Sequence, residues 1–441
     1  MHPTRIGAVV AAATLALGVF TPPTQADPQR LPGGALVAQT TATHARVHSD
    51  RRPMGAGLYD PKARRTHVSW MGKDSDAYVQ DYDHGSGRWS TPVKIGSSFK
   101  DKHNYPVMVQ ADDGRLLVFH GAHNSPLRLA TRALDGTWSD RSLGDVAPYH
   151  ASYPMALKAR NGDVYVFFRD TLKEDDSTQF VDDRPLQYLV STDDGTTWKS
   201  SGELTGHPYI LGSEREDNMD EVYVAEMTEH GGRFHMLWTM AGGGRPDVHG
   251  HGTQIHDVFY AVFDPATRRF STAAGEDLGD RLDQGEMLTR AIVWRSNREL
   301  LHGTGFTHSV QVMADGTPVI VFYDNQTGGQ RPWLTAGRWT GGRWEFTRLT
   351  QEYGLLDSEK IGPHTLRVYT TRGSEPGITT FTLDRGRHWR QGPYVWTDTK
   401  LQKGNVIEGG RDPVRMIAET NTGTQDQTVQ TGNVYAVGEV R

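Results

Sequence analysis

Residues 105–120, YPVMVQADDGRLLVFH, decide the fold. Two runs of alternating apolar residues flank Asp-Asp-Gly, and Asp-Gly between such runs is the strongest short-range signal for a β-hairpin. The same unit returns as YPMALKARNGDVYVFFR (153–169) and SVQVMADGTPVIVFYD (309–324). A second element follows each hairpin: a turn that closes on an aromatic residue. It is seen at Trp89, Trp138, Trp198, Phe270, Trp344 and Trp389, with 45 to 74 residues between closures. The third closure, STDDGTTW (191–198), fits the Asp-box pattern, in which an aspartate and a glycine hold a tight turn and the tryptophan packs between sheets. Repeats of this length suit four-stranded propeller blades rather than the shorter units of a solenoid. The C-terminal GNVYAVGEVR and the early GALVAQTTATHARV can join as a mixed last blade. The expected fold is therefore all-β, a seven-bladed β-propeller. No helix of note is expected, and 275–305, with the weakest strand pattern, is read as an excursion between blades.

Bulk properties narrow the function. The chain has 441 residues, a formal net charge of -6, 36% hydrophobic and 23% charged residues, which is a globular profile that argues against a nucleic-acid partner. The first residues, MHPTRIGAVVAAATLALGVFTPPTQADPQR, carry a basic start, an apolar run from Ile6 to Phe20 and small residues before Ala26. They read as a secretion signal of residues 1–26, leaving 27–441 as one secreted catalytic domain. Gly18, Pro22 and Pro23 end that run too early for a membrane span, which needs roughly 20 apolar residues. There is no cysteine, so disulfides contribute nothing. A closed ring leaves little free sheet edge, and a monomer is expected.

In a propeller blade the start of the innermost strand and the end of the second strand are neighbours beside the axis. His103, Asn104 and Tyr105 precede the first strand of one unit, while His120 and His123 follow its second strand. Tyr153 and Arg169 occupy the equivalent places in the next unit. Adjacent blades thus bring His103, His123, Tyr153 and Arg169 to one rim. His120 alternates with His123, so only one of the two clearly faces the axis. Taken singly, each of these residues has a plain structural explanation. Together, two imidazoles, a phenol and a guanidinium are the parts needed for β-elimination at a uronic acid. A cation neutralises the carboxylate and stabilises the charge that develops at C5. A base takes the C5 proton and an acid protonates the O4 leaving oxygen, both within reach of His and of a Tyr beside a cation. No cofactor is required.

The series YDHGSGRWS, DKHNYPVMV, DGRLLVFHGAHNSPL, SYPMALKARNGDVYVFFRD and STDDGTTW resembles the BNR-repeat propellers that include the ulvan lyases of polysaccharide lyase families 24 and 25. In that pattern a His is followed by another 20 positions later and a Tyr by an Arg 16 positions later, as are His103 and His123, and Tyr153 and Arg169, here. The resemblance implies an acidic polysaccharide as partner, Arg169 as the group that neutralises the uronate, His103 and Tyr153 sharing the proton transfers, and His123 completing the acid-base pair or binding substrate. It also implies Tyr223 as a substrate contact. Asn104, His120 and Arg184 are further candidate contacts, the last with Arg128 and Arg245 as possible sulfate binders. Some relatives hold a structural zinc with cysteine, which this chain cannot repeat; His249, His251 and His256 do not follow a standard zinc spacing. A structural metal ion is compatible with the sequence but unassigned. The alternatives are a lyase or rhamnosidase acting on rhamnose–glucuronate linkages of plant gums or arabinogalactan, and a non-catalytic glycan-binding propeller. A sialidase is disfavoured, because no early arginine motif of that kind is present.

Overall fold

The computed structural model describes residues 29–30, 36–43, 56–72, 74–101, 103–147, 150–171, 183–212, 221–242, 255–297, 300, 303–304, 309–326, 331–372, 375–395, 400–420 and 432–438. The proposed secretion signal lies outside them, as do His249, His251 and Arg245. Each hairpin signal forms a hairpin. Val107–Gln110 pairs with Leu116–His120, and Ser152–Lys158 with Val164–Arg169. The intervening Gly114 and Gly162 have φ of 97° and 93°, a region that glycine enters without the Cβ clash other residues incur.

Among the described residues the strands form antiparallel blades, typically of four. The first runs Gly57–Asp60, Arg65–Met71, Ala77–Asp83, with Arg88–Trp89 and Val93–Gly96 both on its outer strand. The second is Val107–Gln110, Leu116–His120, Arg128–Arg132, Trp138–Ser142, and the third Ser152–Lys158, Val164–Arg169, Leu186–Ser191, Lys199–Ser200. The fourth starts with Glu221–His230, Arg233–Ala241, Ile255–Asp264 and Arg269–Ser271. The fifth is Ser309–Val312, Pro318–Asp324, Trp333–Trp339, Trp344–Thr350, and the sixth Gly354–Gly362, Thr365–Thr371, Ile378–Asp384, His388–Gln391. The last combines Lys403–Arg411, Val414–Glu419 and Asn433–Val437 with the early strand Leu36–Thr43, in the register Val37↔Val437 and Ala38↔Ala436. A single parallel pair, Leu58↔Glu408, joins this blade to the first. The innermost strands touch in cyclic order from Gly57–Asp60 around to Lys403–Arg411 and back. This is a propeller closed by strands from both ends of the described chain, an architecture that leaves only the short outermost strands of the blades as sheet edges.

The core lies between neighbouring blades. Leu117 and Phe119 of the second blade pack with Tyr153, Val166 and Phe168 of the third, and Tyr165 and Phe167 of the third with Phe234, Trp238 and Phe263 of the fourth. Each buried side chain of this size contributes about 1.5–3 kcal/mol. Trp198 of the Asp box meets Phe119 edge-on at 5.4 Å and donates its indole N–H to Gly195 O at 3.1 Å. Among the described residues helix is confined to short pieces: Ser201–Thr205, Gln284–Glu286 and the π-turn Met287–Ala291. The stretch read as an excursion between blades is instead folded back onto the fourth: Asp277–Gly279 extends its outer edge and Ile292–Trp294 pairs with Ile255–Asp264. Among the described residues no helix is long and apolar enough to cross a membrane.

Candidate functional site

Backbone register builds the site. Ser152 lies directly opposite Arg169 in the third blade, and a bulge between Ser152 and Met155 displaces Tyr153 from regular pairing. Tyr153 has a φ of 58°, an uncommon conformation for an aromatic residue that costs on the order of 1–3 kcal/mol. The surroundings hold it there. Tyr153 N donates to Ala122 O at 3.1 Å, and Asn124 N to Ser152 Oγ at 2.7 Å, so the bulge is bolted to the loop carrying His123. Pro154 reinforces the kink by excluding the helical region for the residue before it.

The four residues expected at one rim are brought together. The ring centroids of His103 and His123 lie 4.1 Å apart, and those of His123 and Tyr153 5.4 Å apart. Tyr153 Oη lies 3.3 Å from His123 Nε2. The Arg169 guanidinium lies against two adjoining phenol rings, 4.7 Å from the centroid of Tyr153 and 4.4 Å from that of Tyr223, which are 5.9 Å from each other, a favourable cation–π arrangement in a desolvated place. Tyr223 thus belongs to the cluster, as a buried neighbour of both Arg169 and Tyr153.

Two carboxylates that the sequence reading did not single out complete the site. Asp101 Oδ1 lies 2.6 Å from His103 Nδ1, and its Oδ2 lies 2.9 Å from His123 Nδ1. Glu221, fully buried, lies 3.3 Å from Arg169 Nη1 and accepts the Tyr223 hydroxyl at 2.8 Å. Burial alone would raise the Asp101 carboxyl, but the hydrogen bonds from both histidines outweigh it and hold the group far below the usual carboxylate range. Burial pulls His123 down to about 4, and Asp101 offsets this only in part. For Arg169 burial acts to lower the pKa, yet Tyr223, Tyr153 and Glu221 together raise it, so the guanidinium stays charged. Its Nε and Nη2, the two nitrogens of one guanidinium edge, have no hydrogen-bond partner among the described residues. That edge is the fork that binds a carboxylate bidentately. Asp170, the next residue, is pushed up to about 6 by burial, against a hydrogen bond from Thr171 N–H.

Other candidates stand apart. His120 is fully buried, with Nε2 3.1 Å from Asp140 Oδ1, and Arg128 binds the same carboxylate at 2.7 Å. It shares the strand face of Leu116 and Val118, which pack toward the first blade, where Gly96 leaves room for its ring. His120 is therefore a support between blades, and Arg128 is its companion rather than a waiting sulfate binder. That alternation was the signal in the sequence that separates it from His123. Asn104 is almost wholly buried and donates Nδ2 to Phe99 O at 2.5 Å and Ser98 Oγ at 3.2 Å, so it braces the loop between Val93–Gly96 and His103. Arg184 sits beside the cluster through its backbone, where Val222 N donates to Arg184 O at 3.1 Å. His256 lies in the fourth blade, 3.1 Å from Ser296 Oγ. Among the described residues Asp101, His103 and His123 form the group that brings three potential metal-ligand atoms within 4.8 Å of one another.

The comparisons with known proteins agree with this architecture. The PL25 ulvan lyase of Pseudoalteromonas sp. (strain PLSV) is 26% identical over 391 residues, spanning 77% of this chain and 73% of the relative. An ulvan lyase of Alteromonas sp. (strain LOR) is 27% identical over 249 residues, 48% of this chain and 47% of the relative, so the match spans about half of that protein. The solved structure of a PL25 ulvan lyase bound to a GlcA(1-4)Rha3S repeat has the same fold, with a TM-score of 0.71 at 20% identity over 91% of this chain and 96% of that one. Residues 65–352, about two thirds of the sequence and the whole of the site, match the BNR repeat-containing family, and the chain belongs to it.

Proposed function

We propose that this protein is a polysaccharide lyase that cleaves ulvan by β-elimination at a uronate, and that it does so as a secreted enzyme. One observation carries the reading: the phenol of Tyr153, 3.3 Å from His123 Nε2, lies under the Arg169 cation at 4.7 Å. A proton donor–acceptor pair beside a fixed positive charge is what the reaction asks for. The ulvan lyases among its relatives add the substrate class.

The C5–H bond of a uronate is weakly acidic until its carboxylate is neutralised. The unpartnered Nε and Nη2 edge of Arg169 suits that carboxylate, while Glu221 fixes the far side of the guanidinium through Nη1. The edge is buried, so a carboxylate reaches it only when the groups covering it shift. A base then removes the C5 proton, the electron pair forms the C4–C5 double bond, the C4–O4 bond breaks, and an acid returns a proton to O4. His103 and Tyr153 are assigned these transfers, with His123 coupled to the phenol. The sugar face presented decides which is base, since glucuronate and its C5 epimer expose the proton on opposite sides. The residues in hand account for every transfer without a cofactor.

The test follows the ultraviolet absorbance of the unsaturated uronate during incubation with ulvan and, in parallel, gum arabic, heparin and alginate. A rise with ulvan that disappears in His103→Ala and Tyr153→Phe supports the reading. A rise with gum arabic alone keeps the chemistry and replaces the substrate. No rise with any of them, alongside retained glycan binding, overturns the assignment.

A further inference from the structure

One carboxylate addresses both histidines. Asp101 Oδ1 receives the backbone N–H of His103 at 2.7 Å as well as its Nδ1 at 2.6 Å, and Oδ2 receives His123 Nδ1 at 2.9 Å. The backbone of the aspartate is anchored as well. Its backbone N–H donates to Ser75 Oγ at 3.0 Å, and that hydroxyl lies 3.0 Å from Asp101 O. Ser75 itself is buried in a turn of the first blade at a φ of 62°. Two blades and a tight turn are thus arranged around the direction of a single carboxylate.

An ionised carboxylate only accepts hydrogen bonds, so each neutral imidazole facing it carries its proton on Nδ1 and leaves Nε2 as the lone-pair atom. We propose that Asp101 is the positioning residue of this site, fixing His103 and His123 together in the Nδ1–H tautomer so that His123 Nε2 accepts the phenol proton of Tyr153. This rests on the lyase reading above, because it assigns a purpose to the direction in which that proton moves. It also explains why two histidines share one aspartate. When either ring gains a proton, the same carboxylate stabilises the cation, and the second ring, 4.1 Å away centroid to centroid, is discouraged from charging as well.

The geometry makes the outcome of Asp101→Asn specific. The backbone N–H and Nδ1–H of His103 both demand an acceptor at Oδ1, so the amide oxygen stays there and the NH2 faces His123. That donor forces His123 to present a lone pair at Nδ1 and to carry its proton on Nε2, against the Tyr153 hydroxyl. His103 keeps its tautomer. The experiment is a nitrogen–carbon-correlated NMR measurement of imidazole tautomers in the full chain, with steady-state kinetics on ulvan alongside. The expected result is Nδ1–H on both rings in the wild type, an Nε2–H form confined to His123 in Asp101→Asn, and a kcat lower by up to about 10⁴ with KM little changed, the loss seen when a catalytic histidine is held in the wrong tautomer. Ser75→Ala, which loosens the aspartate without touching a ring, is expected to give a mixture of tautomers at His123 and a smaller loss. An Nε2–H form on either ring of the wild type overturns the inference even if Asp101→Asn fails to fold. So does an unchanged His123 tautomer or an undiminished kcat in a folded Asp101→Asn. The lyase reading fails separately, when His103→Ala and Tyr153→Phe turn over substrate as the wild type does.

Discussion

Tyr153 Oη meets His123 Nε2 at 3.3 Å across the seam between two blades, and the tyrosine reaches that place only from a left-handed backbone at φ 58°. Strain of this kind persists where the surroundings over-determine it, as the Ala122 and Asn124 hydrogen bonds do here. The phenol oxygen is therefore the atom to delete. Tyr153→Phe keeps the ring under Arg169 and the bulge intact, so thermal unfolding should shift little. Turnover of the uronate substrate should fall about 10²–10⁴-fold, the usual contribution of one positioned acid or base. A variant that unfolds at the wild-type temperature and retains its kcat would remove Tyr153 from the chemistry.

The acid side of the pH profile follows from His123. Burial lowers its folded pKa to about 4, below the ordinary histidine value of 6.5. Between these values the unfolded chain binds a proton that the folded chain does not. The contribution to stability is thus absent as a penalty above pH 6.5 and grows unfavourable as pH falls toward 4. His123 stays a neutral acceptor throughout that window. A titration of its ring carbons by NMR should show the transition near 4, and Asp101→Asn, which removes the compensating charge, should not raise it. A His123 transition near 6.5 would contradict the buried setting.

A second buried group predicts the opposite slope. Glu226 of the fourth blade accepts Val310 N–H at 2.6 Å, and Asp357 of the sixth accepts Val406 N–H at 2.6 Å, so the two carboxyls link innermost strands around the axis. Burial pushes Asp357 up to about 8, and burial together with the neighbouring Asp357 raises Glu226 well above its usual value. A raised carboxyl pKa means that the folded state keeps a proton the unfolded state has released. The contribution of the pair to stability is full below about pH 4 and declines as pH rises toward 8. Glu226→Gln keeps an acceptor for Val310 and removes the carboxyl whose charge opposes that of Asp357, so Asp357 can ionise at lower cost. Denaturant midpoints should then converge with the wild type at pH 5 and exceed it at pH 8 to 9. Equal midpoints at both pH values would show that the two carboxyls do not interact.

Much of this site was legible before any coordinates. Hairpin signals fixed where strands begin and end, and the rule that the first strand starts where the second ends put His103, His123, Tyr153 and Arg169 on one rim. What stayed hidden depends on details the pattern does not carry. Asp101 is one aspartate in a polar loop, and nothing in the pattern shows that its backbone is anchored by Ser75 while its carboxylate meets the His103 N–H and two rings. Glu221 stands 52 positions after Arg169, and their pairing exists because the third and fourth blades adjoin. Asn104 follows His103 and reads as a rim contact, while its amide nitrogen binds Phe99 O and Ser98 Oγ. The bulge at Tyr153 breaks the alternation on which facing is judged, so the phenol's direction could not be counted off along the strand.

The Asp box offers a test of the scaffold separate from the site. Ser191 Oγ donates to Asp193 Oδ1 at 2.7 Å, Thr197 N–H donates to the same oxygen at 2.8 Å, and the turn delivers Trp198 against Phe119 of the neighbouring blade. Arg141 of the second blade reaches back to Thr196 O at 2.9 Å, and Asp194 Oδ1 accepts Asp112 N–H at 3.0 Å, so the box is a clasp between two blades. Trp198→Ala empties a site that is 7% exposed, and truncation of a buried aromatic of this size costs about 3–5 kcal/mol. The clasp spans the seam that separates His123 from Tyr153, but at the outer turns and not at the rim. Thermal unfolding should therefore drop clearly while kcat, measured well below the new transition, stays close to wild type. A matched loss of kcat at low temperature would mean that the seam is a moving part of the active site and that the two blades do not hold their register without the tryptophan.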